Sequence, residues 1–267
     1  MEGQRNMALK RVFENATGLF RGRWWQPGNP LTPRVSSSGD VPAMKTGFTQ
    51  LDRALGTGGL PQGCLTELIG PELSGVLSIA AKIGAKFQRK QLPVTIIDMA
   101  GSFDLDHAAR CGLIAPELFT YQPSTAYELV NQMERATRQE GLILLNLGFV
   151  PETFGDDAPA ASLASLLYRL RQIMRSSKCV TLCLTLPQDL DPFIHTNYLP
   201  GFPLSEVAEV RLWLQDEGWI KRSGEISGYR GNVTVVKNTL GPNGKGANLR
   251  IPFIDPALER LTEELGF

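Results

Sequence analysis

From Thr46 onward the apolar positions fall into two alternating textures, short and nearly continuous runs, and longer stretches at helical spacing. The runs are "CLTELIG" (64–70), "VTIIDM" (94–99), "LILLNLGFV" (142–150) and "CVTLCLTL" (179–186). Strands covered on both faces have this composition, because neither row of side chains meets water. Between them, Leu129, Val130, Met133 and Ala136 mark one helix, and Leu163, Leu166, Leu167, Leu170, Ile173 and Met174 mark another. Strand runs alternating with helices predict an α/β fold, a mostly parallel sheet with helices on both faces.

The two ends of the chain have different patterns. Past residue 205, "EVRLWLQ", "GWIKRSG", "GNVTVVKN" and "ANLRIPF" alternate and are broken by Gly, Asn and Pro, which predicts antiparallel hairpins extending the sheet. "PALERLTEELGF" starts with Pro at a first helical turn and predicts a short acidic helix over 256–267. At the other end, Leu9, Val12, Phe13, Ala16, Leu19 and Phe20 keep the i, i+3, i+4, i+7 rule and predict an amphipathic helix over 6–20. The stretch "RGRWWQPGNPLTPRVSSSGD" that follows is rich in Pro, Gly and Ser and reads as a linker. Three segments result: a helix and basic linker at 1–45, a core at 46–255, and the closing helix at 256–267.

A chain of 267 residues with 42% hydrophobic content can bury one sizeable core. Its 27 basic and 27 acidic residues cancel, so any attraction to nucleic acid is local. The N-terminal arm is one basic region and carries Arg21, Arg23, Trp24 and Trp25. The C-terminal hairpins are the other, with Lys221, Arg222, Arg230, Lys237, Lys245 and Arg250 against the single acid Glu225 over 221–250. Cations interleaved with aromatics can hold a single nucleic-acid strand or a partner, while solvated strand faces are the blander reading of the hairpins. The four cysteines form no C-x-x-C pair and no secretory leader is evident, so the expectation is free thiols in a reducing cytoplasm. His107 with Cys111, and Cys179 with Cys183, stand four apart, but without further ligands nearby no metal site is expected. No apolar run reaches the ~18 residues of a membrane helix.

The candidate chemistry lies in "GPELSGVL" (70–77). Its frame is that of a phosphate loop, G-x-x-x-x-G-K-[ST], with Gly70 and Gly75 at the required spacing and Pro71, Glu72 and Ser74 between them. Such a loop binds phosphate through backbone N–H groups at a helix N-terminus. Val76 fills the lysine position and Leu77 the hydroxyl position, so neither the phosphate nor the magnesium contact can be made. Asn146 stands where a strand would deliver a magnesium-positioning aspartate, and Ala100 lies two residues past Asp98, where an acidic base is expected. The glycines are then explained by the shape of the strand-to-helix turn and by close packing of the helix on the sheet.

The stretch "KTGFTQLDRALGTGGLPQGCLTELIGPELSGVL" resembles the opening of the RecA recombinase core, and the resemblance runs over about 46–253. It implies a RecA-like P-loop NTPase fold with a degenerate nucleotide site. The family's catalytic glutamate falls on Ala100, its nucleotide-sensing glutamine on Gln188, and a lysine that reaches a neighbour's nucleotide on Lys237, while a second lysine there is Thr239. With Val76, Asn146 and Ala100 changed together, the resemblance implies a chain that is not an ATPase and needs no cofactor. The family's two DNA loops would fall at about 150–162 and 188–205, which carry acids and no Lys or Arg, so DNA binding is expected to be weak or indirect.

Within this group the chain is similar to the ImuA proteins, related to RecA and SulA, in Arg21-Gly22-Arg23, in the entry over 46–55 and in "AYELVNQMERATRQEGLILLNLG". That resemblance implies a cytoplasmic accessory protein of damage-induced translesion synthesis. Its partners would be a Y-family polymerase-like subunit, an error-prone replicative-type polymerase and RecA, and its N-terminal helix would build an oligomer. Two other implications stay open here: a paralogue that binds ATP without hydrolysing it and regulates RecA filaments, and a SulA-like cell-division inhibitor.

Overall fold

The computed structural model describes residues 41–71, 73–148, 160–186, 204–222 and 224–253. The helix expected at 6–20, the arm with Arg21, Arg23, Trp24 and Trp25, Glu72, Gln188, most of both loops and the helix at 256–267 lie outside the described residues.

An eight-stranded sheet runs in the order β10-β9-β8-β3-β7-β6-β4-β5. Its parallel part joins β3 (Leu65–Ile69), β4 (Val94–Asp98), β5 (Leu118–Tyr121), β6 (Leu142–Gly148), β7 (Val180–Thr185) and β8 (Val210–Arg222). Beyond β8 the pairing turns antiparallel, with β9 (Glu225–Asn238) and then β10 (Gly246–Pro252) at the edge. The expected fold class is therefore observed. Two expected short strands, "EVRLWLQ" and "GWIKRSG", are one strand, because register shifts at Asp216/Gly218 and Ile220/Lys221 absorb the glycine that seemed to break them.

Strand alternation divides the core. Leu68, Leu144, Leu182 and Leu212 face one side and meet α2 (Val76–Gln88) through Ile79, Ile83 and Phe87, with α1 (Thr49–Leu55) alongside. Ile143, Leu145 and Cys183 face the other and meet α4 (Ala126–Ala136) and α5 (Ala160–Arg175) through Leu129, Met133, Leu166 and Leu170. Each helix offers one apolar stripe, as the spacing of its leucines predicts. A small antiparallel hairpin pairs β1 (Ala43–Met44) with β2 (Leu60–Pro61). Two further short helices, α3 (Leu105–Arg110) and α6 (Leu204–Val207), frame the strand ends.

Candidate functional site

In open α/β sheets ligands collect beyond the carboxyl ends of the parallel strands, and the glycine loop stands there between β3 and α2. Gly75 is the residue ahead of α2 and has φ +92°, a conformation that disfavours a side chain. Space forbids one as well, since a Cβ at Gly75 would run into the ring of Tyr229 from β9. The Tyr229 hydroxyl donates to the Gly75 carbonyl oxygen at 2.7 Å, and burial pushes the phenol above its ordinary range. Gly70 is equally enclosed, because a Cβ there would meet Ser74 Oγ and, at 2.8 Å, a methyl of Val76. Val76 is 2% exposed and packs into the core, and Leu77 packs against its margin. Both glycines are thus held by close packing, while Leu73 between them has φ +64° and 93% exposure.

The neighbouring strand ends are tied to each other. Asp98 and Asn146 are register partners on β4 and β6. Asn146 Nδ2 donates to Asp98 Oδ1 at 2.7 Å and to Ser102 Oγ at 3.0 Å, while Asp98 Oδ2 accepts from the Phe103 backbone N–H at 2.9 Å. Asp98 therefore organises the turn after β4. Ala100 lies in that turn, its methyl carbon 2.6 Å from where a Cβ on Gly148 would stand. Asn146 Oδ1 and Ser74 Oγ are buried without a hydrogen-bond partner among the described residues.

Lys237 is bonded within its own chain. Its Nζ donates to the carbonyl oxygens of Ser205, Glu206 and Ala208, at 2.8, 3.2 and 2.6 Å. The ammonium caps the C-terminal end of α6, where carbonyls without helical partners gather. Burial is the main cause that lowers its pKa. Close by, Glu67 on β3 is fully buried, pairs with Arg211 of β8 at 2.5 Å and accepts from Thr185 Oγ1 at 3.0 Å. Glu209 accepts from the Leu65 backbone N–H and pairs with Arg171 at 3.0 Å. Sequence reading missed these pairs and Tyr229 altogether; the only signal was an acid inside an apolar run at Glu67, which a buried partner must balance.

Behind the loop, Ser78 Oγ and His107 Nε2 are 2.6 Å apart, and Cys111 Sγ stands 3.8 Å from the same nitrogen. Phe253 covers the ring edge-on at 5.7 Å. Burial raises the Cys111 thiol pKa, which makes it a poor nucleophile. Among the described residues no group of three or more His, Cys, Asp or Glu is placed to hold a metal ion. Of the expected contact residues, Lys221 and Arg230 are exposed and Arg222 ends β8. No helix among the described residues is long and apolar enough to cross a membrane.

Comparison with known proteins places this arrangement. The RecA N-terminal domain family matches residues 32–150. The RecA protein of Chlorobium chlorochromatii (strain CaD3) is 29% identical over 226 residues, 79% of this chain and 64% of that RecA. The chain is thus similar to RecA in sequence and has a RecA-like fold. Among solved structures, that of the RadB recombinase superposes with a TM-score of 0.59 at 20% identity, covering 78% of this chain and 95% of RadB, a likeness of fold. The chain therefore carries a RecA-like core across its sheet, and it spans 64% of the length of the RecA it matches.

Proposed function

We propose that this RecA-like chain is a non-catalytic accessory protein that assembles a damage-induced translesion synthesis complex through protein contacts in the cytoplasm. The observation that carries the proposal is the start of α2, where buried Val76 and partly buried Leu77 stand at the positions at which a lysine and a hydroxyl would meet phosphate and magnesium. The residues present do not fit a magnesium nucleotide. A phosphate needs a cation and convergent N–H donors, and the position that would supply the cation holds the buried apolar side chain of Val76. The amide N–H of Asn146 is committed to Asp98, so this pair lacks two free carboxylate oxygens for a metal-bound water. The resemblance to ImuA proteins supplies the partners: a Y-family polymerase-like subunit, an error-prone replicative-type polymerase and RecA.

A second reading, a nucleotide-binding regulator of RecA filaments, has one observation behind it. Ser74 Oγ and Asn146 Oδ1 are buried and unsatisfied, and such atoms commonly meet water or a ligand. Isothermal titration with magnesium ATP separates the two. No binding heat is expected, together with co-purification of the polymerase subunits, whereas micromolar ATP binding would overturn the silent-scaffold reading and establish the regulator.

A further inference from the structure

The outer face of β9 and β10 has a feature unrelated to the loop. Arg230 and Arg250 are register partners across this antiparallel ladder, and both are exposed. Two residues along, Asn232 faces Asn248, and the Asn248 backbone N–H turns away from β9 to donate to Gln50 Oε1 at 3.1 Å. Asn232/Asn248 is therefore a non-hydrogen-bonded pair, and Arg230/Arg250, two steps on, is another. Side chains stand closest at such pairs, with Cβ atoms about 5 Å apart. Like charges directly opposite each other destabilise a sheet, and among the described residues neither arginine has a carboxylate in ion-pair range.

We infer that this face is a docking surface for an acidic segment of a partner protein, whose carboxylates seat on the Arg230–Arg250 pair. Each guanidinium can hold a carboxylate through two parallel N–H bonds, and an anion between the two cations removes their repulsion. The adjoining asparagines bond each other at 2.5 Å and keep amide N–H donors for a peptide backbone. A nucleic-acid strand suits the face less well. Phosphate binding draws on a row of cations, and here the row passes from arginine to Asn232/Asn248 and then to Thr234/Gly246. Base stacking needs an aromatic, and the exposed Trp219 is the register partner of buried Tyr229, which puts it on the opposite face. The surface stands whether or not the glycine loop binds nucleotide, so its failure and that of the scaffold reading are separate results.

Fluorescence anisotropy of the full chain with a dye-labelled hexaglutamate peptide, beside a labelled oligodeoxythymidylate at matched salt, tests the assignment. Arg230→Glu and Arg250→Gln are both expected to weaken hexaglutamate binding at least tenfold. Arg230→Glu places a carboxylate opposite Arg250 and is expected to melt no lower than the parent; Arg250→Gln decides the matter should that variant fail to fold. Absence of hexaglutamate binding, or binding that neither substitution changes, overturns the inference. Tighter binding of the oligonucleotide, lost in the same variants, overturns it in favour of nucleic acid.

Discussion

At the residue scale the glycine loop joins two facts that are far apart in sequence. Gly70 and Gly75 are spaced by the motif, but Tyr229, which packs on the loop, is 154 residues away from Gly75. The structural need for glycine that the sequence suggests is therefore specific: positive φ at Gly75 and a phenol ring where its Cβ would be. Gly75→Ala is expected to cost about 3 kcal/mol of unfolding free energy, about 1 from left-handed backbone strain and the remainder from overpacking against Tyr229. A double-mutant cycle by urea denaturation checks this. Tyr229→Ala should recover the overpacking part and leave the backbone part; strict additivity of the two substitutions would show that the ring and the loop do not interact.

At the element scale, buried ion pairs fasten the antiparallel extension to the parallel sheet. β8 lies beside β3 over only Val210–Trp213, and within that overlap Arg211 meets Glu67. Arg211→Ala leaves a fully buried carboxylate with Thr185 as its remaining neutral partner and is expected to destabilise by about 3–5 kcal/mol. Replacing both members, as Glu67→Met with Arg211→Leu, should be far milder, since no charge is then stranded. Denaturant midpoints of the single and double variants measure the difference, and a single variant as stable as the double would refute the stranded-charge account. Such pairs cannot be read from spacing, because the partners are 144 residues apart and each alone looks like an ordinary strand residue. Lys237 is the same case, since nothing in "VTVVKN" announces that its ammonium caps a helix some thirty residues earlier.

For the whole molecule, burial disfavours the charged form of the groups it encloses, which raises thiols and phenols and lowers an ammonium. Cys64 is pushed from 9.0 to about 11, mainly by burial. The thiols of Cys111, Cys179 and Cys183 and the phenol of Tyr229 are raised as well, also mainly by burial. The folded state holds protons that the unfolded chain releases from about pH 9 upward, so ∂ΔG/∂pH is negative there. Lys237 has the opposite sign, because its lowered pKa makes the unfolded state the more protonated one below 10.5. Five raised groups outweigh one lowered group. Chemical denaturation midpoints in reducing buffer are expected to fall steadily between pH 8.5 and 10.5; a flat or rising profile would contradict the burial of the thiols.

The sequence by itself determined the fold class and the position of the glycine loop. Continuous apolar runs report strands covered on both faces, helical spacing reports the stripes that cover them, and Val76, Leu77, Ala100 and Asn146 can be read at their motif positions. These signals are local, carried by residues within one turn or one strand of each other. Only the tertiary structure decided that Tyr229 lies on the glycine loop, that Lys237 bonds the carbonyls at the end of α6 while Arg230 is exposed, and that Arg230 stands opposite Arg250. Those outcomes depend on strand register and on the order of strands in the sheet. A shift of one residue in β9 would exchange its two faces, and the alternating pattern of that strand does not show which neighbour it pairs with.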